Sequence, residues 1–171
     1  MKKFIVICLA LTLNMGLAAV KAKADAITPG DGWQRFQFLA KGSAWYEPSS
    51  FEFTLVSNGI LKVTDAFNAG DQFSVYDSTL GFLGNTSYVP PVPSAVNDIP
   101  DSAFTDPAFS HASFLLNPGS YIISGFAIES PYNEGGAYLR VDFAPVPLPS
   151  AVILLGSGLL GLVGWRRFRK G

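Results

Sequence analysis

The sequence predicts an all-β protein, a single antiparallel β-sandwich or jelly roll, and three observations carry that expectation. Short runs alternate apolar and polar residues at period two, as in Phe51-Glu52-Phe53-Thr54-Leu55. Gly, Pro and Asn punctuate those runs at short intervals. The residues on the apolar side are largely Phe, Tyr and Trp, which favour strands and fill a core between two sheets.

The elements follow in order. Trp33 to Phe38 alternates roughly at period two and predicts the first strand. Phe51 to Leu55 and Ile60 to Val63 flank Ser57-Asn58-Gly59, and Asn-Gly between two strands predicts a hairpin. Asp71 to Asp77 alternates again, and Phe82 to Thr86 is expected to pair with it across Ser78 to Gly81. Tyr88 to Pro107 holds Pro90, Pro91, Pro93, Pro100 and Pro107 and is excluded as a central strand. It is expected to connect two halves of the sandwich, with a short helical turn near Phe104, Phe109 and His111 covering one end of the core. Ala112 to Leu116, Tyr121 to Ile128 after the turn Asn117-Pro118-Gly119, and Ala137 to Phe143 complete seven or eight strands.

The two ends differ from this middle. Lys2 and Lys3, the apolar stretch Phe4 to Leu13 and the small-x-small exit Ala22-Lys23-Ala24 predict a signal peptide over 1–24, removed by signal peptidase. Cys8 is the only cysteine and lies in that segment, so the mature chain is expected to have no disulfide, no thiolate nucleophile and no cysteine-held metal. Residues 25–144 then form the ectodomain. It holds four basic residues (Arg35, Lys41, Lys62, Arg140) against thirteen acidic ones, a net charge of −9 that the whole-chain value of −1 hides. Such a surface repels nucleic acid and anionic lipid.

The C-terminal segment 145–171 has three parts. Val146-Pro147-Leu148-Pro149-Ser150 is a short Pro-containing motif over 146–150. The uncharged apolar run 151–165 follows, and predicts a transmembrane helix about 22 Å long, short of the usual span. Residues 166–171 form the basic stop, with Arg166, Arg167, Arg169 and Lys170 expected on the cytoplasmic side. Pro147 and Pro149 disfavour helix in the residues before them and would hold the motif extended at the membrane surface.

This order of parts, with the string Leu154-Leu155-Gly156-Ser157-Gly158-Leu159-Leu160-Gly161, resembles a PEP-CTERM sorting domain of the VPLPA type. Leu148 stands where the family usually has Glu, and Ser150 where the variant has Ala. Looser resemblances to small secreted proteins of this class run through 65–77, 116–121 and 136–142 and imply no activity. The resemblance implies export in a Gram-negative bacterium that makes exopolysaccharide. It also implies a temporary inner-membrane anchor, processing by an exosortase near Val146, Pro147, Leu148 and Pro149, and delivery to the cell surface or a biofilm matrix. A Gram-positive sortase signal would need Leu-Pro-x-Thr-Gly, which is absent.

The middle domain is expected to be non-catalytic, with no cofactor. His111 is the one histidine, and no Ser/His/Asp arrangement or selected carboxylate pair accompanies it. Two binding readings remain. Asp65, Asn68, Asp71 and Asp77 are oxygen donors of the kind calcium takes, although they lack the EF-hand spacing. Shaping the turn around Asn68-Ala69-Gly70 is the favoured role for Asp65 and Asp71, so no metal site is assigned. Trp33, Trp45, Tyr46, Tyr88 and Tyr132 are candidates for stacking on an extracellular polysaccharide, provided that they are exposed together rather than in the core.

Overall fold

The computed structural model describes residues 24–92 and 95–145, together with Leu154, Leu155 and Ser157. Its strands are β1 (Asp25–Ala26), β2 (Gln34–Leu39), β3 (Phe51–Leu55), β4 (Gly59–Asp65), β5 (Phe67–Asn68), β6 (Gln72–Asp77), β7 (Gly81–Asn85), β8 (Val96–Asn97), β9 (His111–Leu116), β10 (Gly119–Glu129) and β11 (Glu134–Phe143). One short helix, α1 (Pro100–Thr105), lies between β8 and β9, with proline in its first turn, where a missing N–H costs no hydrogen bond.

Two sheets form the body, in the orders β1-β3-β10-β6-β7 and β2-β11-β4-β9, with β5 and β8 pairing apart. All pairings are antiparallel except β1 with β3. The alternation read in the sequence is what packs the sheets together. Phe51, Phe53 and Leu55 of β3 are buried while Glu52 and Thr54 are exposed. Facing them are Phe36 and Phe38 of β2, Leu61 and Val63 of β4, and Leu139 and Val141 of β11, all in one core with Phe73, Val75 and Ile123. The expected β-sandwich is therefore present, with its core between the sheets.

The expected hairpin at Asn58-Gly59 is absent. β3 pairs with β10 in one sheet, whereas β4 pairs with β11 and β9 in the other. The reason is packing: Leu55 and Leu61 must both face the core, and the chain achieves this by changing sheet between them. Gly59 makes the change possible, since a Cβ there would lie 2.7 Å from a Leu55 methyl. The pairing of β6 with β7 is as the sequence suggests, and is the one hairpin between consecutive strands among the described residues.

Residues 44–46 close one flank. Tyr46 bridges Gln37 of β2, and Ala44 bridges Phe126 of β10, so this short segment joins the open edge of one sheet to the other. Trp45 between them is 1% exposed and stacks on Phe36 at 4.0 Å between ring centres. The helical turn expected at Phe104–His111 starts earlier, as α1. Ala103 of α1 packs with Ala69 and Phe109 in a second, small core, while Phe104 lies against Trp33 and His111.

Candidate functional site

The strongest candidate surface lies on the outer side of the β2-β11 pair. Arg35 and Gln37 of β2 project there because their neighbours Phe36 and Phe38 take the core side. Tyr46 reaches it through the bridge to Gln37, and its hydroxyl donates to Gln37 Oε1 at 3.3 Å. Glu134, Gly135 and Gly136 of β11 supply the far wall, and Phe67 the remaining side. The result is an open pocket of about 370 Å³.

Its chemistry is planar and polar, next to aromatic rings. The Arg35 guanidinium sits 5.0 Å from the centre of the Phe67 ring, and Phe67 stacks at 6.0 Å on Tyr138. Arg35 has no carboxylate within ion-pair distance among the described residues. Gln37 also donates to Glu47 Oε2 at 3.3 Å. Gly136 keeps the floor open, since a Cβ would lie 2.8 Å from Arg35 Nε and 3.0 Å from the Phe67 ring. Phe67 has φ = 67°, a left-handed conformation that costs a non-glycine residue about 1–3 kcal/mol and concentrates at binding sites.

Of the aromatics singled out in the sequence, only Tyr46 lines this pocket. Trp45 is core. Trp33 is half-buried against Phe104, under the Arg140 guanidinium, and donates Nε1 to Asp101 at 2.8 Å. Tyr88 is exposed, and the Tyr132 hydroxyl is buried. Arg35, Gln37, Phe67 and Glu134 were not singled out. The position of Arg35 within an alternating strand shows that it faces outward, but nothing in the sequence shows that Phe67 meets it.

The four calcium candidates do not gather. Asp77 serves a turn: Oδ1 accepts from Thr79 N and Leu80 N, and Oδ2 from Ile122 N. Asn68 is exposed, in the β5-β8 pair. Asp65 shapes the turn as expected, Oδ2 accepting from Gly70 N at 3.0 Å and Asp71 N at 3.2 Å. No group of three or more His, Cys, Asp or Glu side chains gathers among the described residues. Asp65 and Asp71 are nonetheless a buried pair, 0% and 2% exposed. Burial and then the Asp71 charge push the Asp65 carboxyl up to about 8. Burial pushes Asp71 up to about 7, against a lowering by Ser130.

On the opposite end of the outer surface, Asp142 lies between Lys62 Nζ at 3.1 Å and Arg140 Nε at 2.7 Å. Partial burial would raise its pKa, but hydrogen bonds and charge from Arg140 and Lys62 outweigh this and lower it.

The sorting motif Val146, Pro147, Leu148 and Pro149 and the basic stop Arg166, Arg167, Arg169 and Lys170 lie outside the described residues, as does the signal peptide but for Ala24. Of the expected span 151–165, Leu154, Leu155 and Ser157 are described. They are helical and exposed, with Ser157 Oγ donating to the Leu154 carbonyl at 3.0 Å. Among the described residues no helix is long and apolar enough to cross a membrane.

Comparison with known proteins adds the following. No curated protein matches the sequence. Among solved structures, the chain is similar to the pre-peptidase C-terminal domain of a Bacillus anthracis collagenase at 12% identity, over 70% of this chain and 95% of that one, with a TM-score of 0.42. It is also similar to a β-1,3-glucan-binding CBM6 from Bacillus halodurans at 13% identity, over 67% of this chain and 81% of that one, with a TM-score of 0.35. Both likenesses are distant. The sequence match is sharper and falls on the tail: residues 145–170 match the PEP-CTERM protein-sorting motif.

Proposed function

We propose that this is a non-catalytic protein of the cell surface or extracellular matrix, exported and then released from a temporary membrane anchor by an exosortase. The observation that carries the reading is the motif match at 145–170. In this reading the prolines of the motif would disfavour helix in the recognition segment, the apolar run 151–165 would hold it at the bilayer, and the basic stop would set its orientation. The acidic ectodomain is then displayed outside, where it remains soluble and is repelled by anionic lipid. Fractionation of cells that carry Pro147→Ala with Pro149→Ala tests this. The wild type should be found in the surface or extracellular fraction, and the variant should stay in the inner membrane. Identical distribution of the two would defeat the reading.

A second reading is glycan binding by the ectodomain, favoured by the pocket of Arg35, Gln37, Tyr46, Phe67 and Glu134. Planar hydrogen-bonding groups beside aromatic rings suit sugar hydroxyls and the apolar faces of pyranose rings. With Glu134 in the wall and a net charge of −9, a neutral polymer fits better than an acidic one. Co-sedimentation with neutral exopolysaccharide checks it: Arg35→Ala should lose most of the bound fraction, and equal binding would exclude this pocket.

A further inference from the structure

The end of the sandwich where three loops meet holds a group of oxygen atoms whose bonding is incomplete. Asp65 Oδ1, Asp71 Oδ1 and Ser130 Oγ are buried and have no hydrogen-bond partner. They belong to side chains 0%, 2% and 7% exposed. The three lie on adjoining segments: Asp71 N donates to Asp65 Oδ2 at 3.2 Å, Gln72 next to Asp71 pairs with Glu129 next to Ser130, and a Cβ on Gly70 would lie 3.1 Å from Pro131 Cγ. The Tyr132 hydroxyl, two residues beyond Ser130, is also buried and unpartnered.

The loops are locked in this arrangement. Asp65 ends β4, and its Oδ2 is already used in holding the turn through Gly70 N and Asp71 N, so Oδ1 is left for something else. Gly70 has φ = 130°, and a Cβ there would lie 2.9 Å from Pro91 Cα and 3.1 Å from Pro131 Cγ. The segments around 65–71, 91 and 131 therefore pack to a distance that only glycine permits. Beside them, Thr86 Oγ1 pairs with Ser110 Oγ, and Phe73 N donates to Thr86 Oγ1 at 3.0 Å, so the neighbouring polar groups are satisfied. At this end of the sandwich the unpartnered buried atoms are oxygens of Asp65, Asp71, Ser130 and Tyr132. Two buried carboxylates that each keep one oxygen without a hydrogen-bond partner are costly.

We propose that Asp65, Asp71 and Ser130 bind one hard divalent cation, calcium, which ties the β4–β6 turn to the β10–β11 loop. The ligand set is oxygen only, which suits calcium or magnesium and disfavours softer metals. Calcium accepts loose geometry and completes its shell with carbonyl oxygens and water, so two carboxylates and a hydroxyl from the side chains suffice as a core. The site is distinct from the glycan pocket and from the sorting tail, and does not depend on either function.

The test is thermal unfolding of the full chain in detergent, in chelator and then in calcium or magnesium. Calcium at a hundredfold excess over its Kd should raise Tm by on the order of 5–10 °C, and chelator should reverse this. Magnesium should do markedly less. Asp65→Asn keeps an oxygen for the turn and should fold in chelator with the calcium response lost, while Ser130→Ala should weaken it several-fold. Equilibrium dialysis with radioactive calcium should give one site in the wild type and none in Asp71→Asn. A wild-type Tm that moves by less than about 1 °C in calcium, or an equal rise in Asp65→Asn and Asp71→Asn, overturns the proposal. An equal response to magnesium overturns the choice of calcium.

Discussion

Gly125→Ala should destabilise the domain far more than a single methyl group suggests. Gly125 lies in the middle of β10, opposite Val75 of β6, and its carbonyl accepts from Trp45 N at 2.9 Å. A Cβ there would lie 2.5 Å from both Trp45 Cε2 and Cζ2 and would press on the Ser74 carbonyl oxygen. Carbon atoms pack at about 3.5–4.0 Å, so the overlap is about 1 Å or more. Neither neighbour can give way cheaply. Ser74 is backbone in β6, and the indole is stacked on Phe36 at 4.0 Å with Phe73 edge-on at 6.3 Å. Overpacking of this kind costs about 1–3 kcal/mol, and the backbone on one side places it near 3. For a domain of this size that is a fall in Tm of roughly 10 °C. Thermal unfolding followed by tryptophan near-ultraviolet circular dichroism reads both the stability and the packing of Trp45. A Tm within about 2 °C of the wild type would refute the claim that Trp45 fills the space over Gly125.

Three further outcomes are expected. Phe36→Ala should cost about 3–5 kcal/mol in urea unfolding, because it leaves a cavity beneath Trp45, Phe51 and Phe73. Phe67→Gly should relieve the backbone strain at φ = 67° and leave Tm equal or higher while reducing capture of neutral glycan, which separates binding from folding. Asp142 has a folded pKa below its ordinary 3.8, so its contribution is present above that value and is lost as pH falls through the lower folded value. Asp142→Asn should therefore flatten the acid side of the stability curve, and an unchanged acid limb would remove the role given to Lys62 and Arg140.

The strands were legible because alternation reports which side chains face a core. It does not report which strand is the neighbour, and this is why Phe51–Leu55 and Ile60–Val63 were readable as strands while their placement in opposite sheets was not. Asn58-Gly59 is a local signal, and the burial of both Leu55 and Leu61 overrode it. The two-residue pair of β5 with β8 left no pattern in the sequence. Of the candidate site, Tyr46 was visible as an aromatic, but its partners Arg35, Phe67 and Glu134 come from three separate segments joined only by the fold. Ser130 is likewise an ordinary loop residue until burial leaves it beside Asp71. The tail was the reverse case, since its message is written in consecutive residues and needs no tertiary structure to be read.

Mass spectrometry of the mature protein from the producing cells shows whether an exosortase processes the tail. Processing at both ends should give an N-terminus at Asp25 and a C-terminus near Val146–Ser150, with residues 151–171 missing, and that shortening should be lost when the exosortase is absent. A mature chain that still ends at Gly171, in cells with and without exosortase alike, would contradict it.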